Sequence, residues 1–231
     1  MDLHCHILPE IDDGAANMDE SLAMARIAAH DGIRIIVATP HVNKALYSFE
    51  EVKQRVILFN RYLEAAGLDV SVLPGGDVSV VFEPSLVKDF TINSNGYILV
   101  EFPHTHMPHN AATILHNFRK EGLRPIITHP ERNPTIMSRP ETLLELLEDG
   151  IMVQVTAGSL TGDFGRKSQR CALFLLENDA VDIIATDAHS RRFRRPVLSA
   201  GFHVAEKIVG RARAEAMVIN TPVAVIAGNP V

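Results

Sequence analysis

The chain has no tryptophan, three tyrosines and only two cysteines in 231 residues. Cys5 and Cys171 are too few for a disulfide framework, which favours a reducing compartment and makes the cytoplasm the expected location. Basic residues are outnumbered, with 22 Lys and Arg against 28 Asp and Glu, giving a net charge of −6 at pH 7. No global positive field is available to draw the protein to nucleic acid or an anionic membrane, so any anion site has to be local. No basic segment followed by an apolar run opens the sequence, and no later stretch reaches membrane-spanning length, so neither a secretory signal nor membrane insertion is expected. Linkers, low-complexity tracts and residue-level repeats are also missing, which argues against a solenoid and leaves one domain over residues 1–231 as the expectation.

What is present is a regular alternation of short β-branched apolar runs with amphipathic segments, in an ordinary globular composition of 46% hydrophobic and 22% charged residues. The pattern predicts seven strands, at 2–7, 34–39, 70–73, 97–102, 125–128, 152–156 and 181–186, with helices between them. Asn17 with Glu20 three residues on resembles a capping box, and Gly32 would close that helix. Pro140 and Gly150 would bracket another. Seven βα units spread over the whole length give an α/β class with a parallel sheet, close to what a (βα)7 barrel requires.

The chemistry-bearing residues fall at predicted strand ends. His4 and His6 sit two apart on the first strand, so both imidazoles share a face while Cys5 points the other way into the core. Asp12 and Asp13 follow, then His41, Glu101, His129, Asp187 and His189, each after an apolar run. In a parallel barrel the C-terminal strand ends share one face, so these residues can converge. Imidazoles mixed with carboxylates, and no convergent thiolates, suit zinc, manganese or iron better than calcium. The set is large enough for two or three ions, with Glu101 the candidate bridge. Such a cluster would activate water and neutralise phosphate oxygens, which points to phosphoester hydrolysis. Thiol-based phosphatase chemistry is excluded, because neither cysteine is followed by a phosphate loop with an arginine six positions on.

The motifs Asp-x-His-x-His-Ile-Leu-Pro-x-Ile-Asp-Asp-Gly (2–14), Ser-Leu-x-Met-Ala (21–25), Ala-Thr-Pro-His (38–41), Thr-His-Pro-Glu-Arg (128–132), Phe-Gly (164–165) and Ala-Thr-Asp-Ala-His (185–189) occur in the order seen in the polymerase and histidinol phosphatase (PHP) superfamily. Within it the chain most resembles the capsule-type (CpsB/CapC-like) bacterial protein-tyrosine phosphatases. The resemblance implies a distorted seven-stranded TIM-like barrel and metal ligation by His4, His6, Asp13, His41, Glu101, His129, Asp187 and His189 around a manganese-supported centre of two or three ions, iron or zinc being alternatives. It also implies a ninth ligand at Asp77, where the family usually has Glu, a side chain one methylene longer. Arg132 is one implied phosphate-holding arginine, since a guanidinium fork matches phosphate oxygens; for the second, expected just before a Pro, Arg191, Arg192, Arg194 and Arg195 crowd the segment, and Arg195, preceding Pro196, is the choice. The implied substrate is a phosphotyrosine protein, an autophosphorylating bacterial tyrosine kinase that controls capsule or exopolysaccharide production. A histidinol-phosphate-type phosphatase, a PHP exonuclease and an inactive phosphotyrosine-binding regulatory module are the competing readings. His104, His106 and His109 could rim the site, and the segment 44–51 with Tyr47 could form a flap over it.

Overall fold

A computed structural model describes residues 1–42, 47–147 and 150–231. Eight parallel strands alternate with helices: β1 (Asp2–Cys5), β2 (Ile35–Ala38), β3 (Ser71–Pro74), β4 (Asp77–Ser79), β5 (Tyr97–Glu101), β6 (Arg124–Thr128), β7 (Met152–Thr156) and β8 (Ile183–Ala185). They form a three-stranded sheet in the order β1-β2-β3 and a five-stranded sheet in the order β4-β5-β6-β7-β8. Backbone pairing joins the two sheets at two places. Cys5 pairs with Ala188, where Asp187 N donates to His4 O at 2.8 Å and His6 N to Ala188 O at 2.8 Å. His41 pairs with Asp77, where Val42 N donates to Asp77 O at 2.8 Å.

The count differs from the seven strands expected, for a local reason. β3 pairs with β2 from Ile35↔Ser71 to Ala38↔Pro74, and His41 pairs with Asp77 at the same offset. β3 and β4 therefore occupy one position in the ring, interrupted at Gly75-Gly76. A Cβ on Gly76 would lie 2.9 Å from both Phe90 Cδ1 and Val42 Cγ2, and one on Gly75 would lie 2.8 Å from Val37 Cγ1, so the chain passes too close to its neighbours for side chains there. With that interruption, the eight strands fill seven positions and the ring is a distorted (βα)7 arrangement.

Two apolar clusters follow from strand alternation. The smaller, with Leu3, Val37, Leu99, Ile126, Met152 and Ile183, fills the space inside the ring. The larger, with Ile36, Val72, Ile98, Val100, Ile127 and Val153, packs the outer strand faces against the helices. Between Asp2 and Cys5 the pairing with β2 slips by one residue, a bulge that leaves Leu3 in the inner cluster and Cys5 in the outer one. At the N-terminal end, Val225 on the helix Thr221–Ala227 joins the inner cluster, and Tyr97 Oη donates to Asn229 O at 2.8 Å.

The helix ends correct two local expectations. Asn17 does cap the helix Met18–His30 by accepting from Glu20 N, but the Glu20 carboxylate does not return to Asn17, because it receives Arg191 N at 2.7 Å instead. The reciprocal box belongs to Ser48 and Glu51, at the start of the helix Phe49–Ala65. After Pro140 the helix is a single turn, Glu141–Leu144. Residues 44–46 of the expected flap lie outside the described residues, whereas Tyr47 is buried and its hydroxyl donates to His41 O.

Candidate metal centre

The C-terminal ends of the strands gather nine of the residues singled out from the sequence. His4 and His6 come from β1 and its extension, His41 from beyond β2, Asp77 from β4, Glu101 from β5, His129 from beyond β6, and Asp187 and His189 from beyond β8. Asp13 enters on the loop after β1. Their ligand-type atoms fall into four overlapping groups: His6, Asp13, His41 and His189; His4, Asp77 and His129; His4, His6 and Asp187; and His41, Asp77 and Glu101, each within 4.8 Å.

The tightest convergence is on β1. His4 Nε2 and His6 Nε2 are 3.2 Å apart, and each is 3.4 Å from Asp187 Oδ1. Glu101 spans the cluster, with Oε1 3.3 Å from His129 Nε2 and Oε2 3.9 Å from His41 Nδ1. His41 Nδ1 lies 3.0 Å from Asp77 Oδ2. Asp13 is exposed, with Oδ1 3.5 Å from His189 Nε2 and 3.6 Å from His41 Nε2. The shorter Asp77 thus reaches both His41 and, at 3.9 Å, His4 from inside the barrel.

A set of groups behind the cluster aims the imidazoles. His4 Nδ1 is 2.8 Å from Gln154 Oε1, His6 Nδ1 is 2.6 Å from Asp12 Oδ2, and His189 Nδ1 is 2.9 Å from Asp187 O. An acceptor at Nδ1 holds the proton there and leaves the Nε2 lone pair for the centre. Asp12 also accepts from Gly14 N and His41 N, so one carboxylate fixes two of the site's segments. Asp2 is fully buried under His4, accepting from Thr186 N at 2.9 Å and from Thr186 Oγ1 at 2.5 Å, which ties β1 to β8. His129 and Asp187 adopt left-handed φ of 33° and 50°, a backbone conformation costly for non-glycine residues and commonly retained where a site needs it.

The electrostatics reflect this crowding. Burial pushes His4 down to about 4 and His189 down to about 2, so both are neutral near pH 7. Burial opposes charge on His6 too, but its hydrogen bonds to Asp12 and Asp187 outweigh it and raise His6 to about 10. Burial works against ionising Asp187, yet His4, His6 and His129 around it hold it well below the carboxylate range. Buried atoms with no hydrogen bond among the described residues include Asp77 Oδ1 and His189 Nε2. Burying such acceptors is expensive unless something positive meets them, and a mixed nitrogen and oxygen donor set of this size fits divalent transition metals.

The arginines are placed differently from expectation. Arg132 donates to Asp187 Oδ2 as foreseen in position, but the second guanidinium on that oxygen belongs to Arg194 and not to Arg195. Arg195 is exposed, because the left-handed φ of 51° at Arg194 turns the chain between them. Phe164, from the Phe-Gly motif, lies 4.5 Å from the Arg132 guanidinium and 5.9 Å from that of Arg194, a cation–π platform for both. His104 is exposed with Nε2 3.7 Å from Glu101 Oε1. Sequence reasoning passed over Gln154, Asp2 and the orienting role of Asp12, and among Arg191, Arg192, Arg194 and Arg195 it preferred Arg195; only the even spacing of Asp2, His4 and His6 could have hinted at Asp2.

Comparison with known proteins places this geometry in context. Tyrosine-protein phosphatase YwqE of Bacillus subtilis (strain 168) is 38% identical over 216 residues, 91% of this chain and 85% of its own. Tyrosine-protein phosphatase CpsB of Streptococcus pneumoniae is 25% identical over 233 residues, 96% of each chain. A crystal structure from work on YwqE and S. pneumoniae CpsB, described as unique metal-dependent tyrosine phosphatases, superposes over 100% of this chain and 95% of its own, with a TM-score of 0.93 at 34% identity. A β-aspartyl dipeptidase of Fervidobacterium islandicum, at TM-score 0.58 and 14% identity, shares the fold alone. The family model described as capsular polysaccharide synthesis, CpsB/CapC, matches residues 1–227, and the chain belongs to that family.

Proposed function

We propose that the protein is a metal-dependent protein-tyrosine phosphatase, with the nine clustered side chains as the ligands of two or three divalent ions, manganese first among them. The observation that carries this reading is the convergence of imidazole Nε2 atoms with buried carboxylates, several of the imidazoles held from behind at Nδ1. Bound cations would lower the pKa of a water and neutralise phosphate oxygens. The chain's own residues do the rest. Asp12, Gln154 and the Asp187 carbonyl orient imidazoles, and Glu101 lies where it can serve both halves of the centre. Arg132 and Arg194, steadied by Phe164, present guanidinium forks suited to the phosphate oxygens next to Asp187. His6 carries between Asp12 and Asp187 a proton that a cation would displace.

Tyrosine as the phosphorylated residue is supported by similarity to YwqE and CpsB, and the family description supports a role in capsular polysaccharide synthesis. The partner we propose is an autophosphorylating tyrosine kinase of the capsule or exopolysaccharide system, met in the cytoplasm. No helix among the described residues is long and apolar enough to cross a membrane.

The test strips the purified protein of metal, reloads it with Mn²⁺ and compares a phosphotyrosine peptide, histidinol phosphate and single-stranded DNA. Fastest turnover of the peptide, lost with chelator or in His6→Ala and Asp187→Ala, is the expected result. Faster turnover of histidinol phosphate or DNA would overturn the substrate assignment, and peptide binding without turnover would make the protein a binding module.

A further inference from the structure

Beside the metal centre lies a cleft of about 480 Å³, of which the chemistry above uses only Arg194 and Phe164. It shares three residues with the site: Thr186, which precedes Asp187, Arg194, whose Nη2 donates to Asp187, and Phe164, which lies against the guanidinium groups of Arg132 and Arg194. Its floor is made of small residues, Ala157, Gly158, Ala200 and Gly201. Two of these cannot be larger, since a Cβ on Gly158 would meet Phe164 Cε2 at 2.9 Å and one on Gly201 would meet Ala157 Cα at 2.8 Å. Such a volume is in the range of ligand-binding clefts.

The wall is cationic. Arg192, Arg194 and Arg195 line the cleft against one carboxylate, Asp163, which is already engaged by Thr161 Oγ1 at 3.0 Å. The Nε of Arg194 is buried with no hydrogen-bond partner among the described residues. The loop carrying these arginines is tied down. Ser190 Oγ donates to Phe193 O at 2.5 Å and accepts from Phe193 N at 2.9 Å, His189 N donates to Arg194 O at 2.9 Å, and Arg191 pairs with Glu20 at 3.0 Å. This fixed loop holds Phe193 82% exposed at the rim.

Resting on the phosphatase reading above, we infer that this cleft is a specificity subsite for an acidic side chain, Asp or Glu, flanking the phosphotyrosine on the same peptide. Three arginines lining a cleft with one satisfied carboxylate make a local anion site on a protein of net negative charge, and a carboxylate seated there would pair with Arg192 and supply an acceptor for the Arg194 edge. Phe193 would cover the peptide stem.

The experiment measures kcat/KM of the Mn²⁺-loaded protein on phosphotyrosine peptides carrying Glu, Gln or Lys at each of the positions next to the phosphotyrosine. p-Nitrophenyl phosphate, which has no flanking residues, reports the chemistry alone. The Glu peptide is expected to exceed the Lys peptide by about fivefold, an effect of one or two partly exposed ion pairs that shrinks in ~0.5 M NaCl. Arg192→Glu should invert the order, and Arg192→Ala abolish it, with p-nitrophenyl phosphate turnover unchanged in both. Equal turnover of the three peptides by the wild type, or a preference that survives in both variants, would overturn the subsite. Failure to hydrolyse any aryl phosphate, peptide or small, would instead defeat the phosphatase reading and the subsite with it.

Discussion

At the scale of single residues, the division of labour within adjacent pairs decides what each side chain does. Asp12 and Asp13 are neighbours in sequence, yet one is turned inward to hold His6 Nδ1 and the other faces His41 and His189. Arg194 and Arg195 divide in the same way, one on Asp187 and one in solvent. Arg194→Ala is therefore expected to lower kcat/KM on a phosphotyrosine peptide by about a hundredfold, the usual cost of removing one donor from an anion-stabilising site. Arg195→Ala should cost far less, and metal content measured on both variants should be undiminished. Equal losses would place the phosphate-holding role on Arg195 after all. Two-residue periodicity made His4 and His6 legible as a pair, but no periodicity operates in a loop. Which of four arginines turns inward depends on one left-handed φ, which no composition rule exposes.

At the scale of elements, seven strands could be read because their apolar runs are long enough to show a period, whereas β4 could not. It is three residues long and follows two glycines, so its first residue, Asp77, looks like a loop aspartate. Its place is set by pairing with β5 and with His41, contacts between distant parts of the chain. Gly76→Ala should therefore act beyond its own position. Forcing a methyl against Phe90 and Val42 costs about 1–3 kcal/mol by the usual penalty for overpacking, and it displaces the neighbouring Asp77. Urea denaturation should show the lost stability and calorimetric Mn²⁺ titration a weakened ion. Unchanged affinity would separate Asp77 from the metal set. The capping pairs show the same limit: Ser48 with Glu51 and Asn17 with Glu20 look alike in sequence, but only the first glutamate is free of a distant arginine.

At the scale of the whole molecule, the ring was readable because its rhythm is repeated, while the groups behind the site were not, since Gln154 and Asp2 look like ordinary strand residues until β7 and β8 meet β1. The concentration of buried ionisable groups also sets how the metal-free protein responds to acid. His4 and His189 have folded values of about 4 and 2, below those of an unfolded chain, so between roughly pH 6.5 and 4 the unfolded state binds more protons at these two positions and stability falls as pH falls. Burial raises Asp2 to about 6, so its folded form takes up a proton in the same window and offsets one of the two. His6, still protonated on both sides of that window when folded, adds stability below pH 6.5 that is lost only as pH rises toward about 10. Urea midpoints in chelator should therefore drop from pH 6.5 to 4.5, and a flat profile would contradict the buried, neutral state of these imidazoles. The constant offset between β2 and the third ring position has a different kind of consequence. Loops on the outside of the ring can gain or lose residues without moving a ligand, but a single insertion or deletion between Pro74 and Asp77 would slide the carboxylate off His41, so relatives that keep the centre must keep the length of that two-glycine joint.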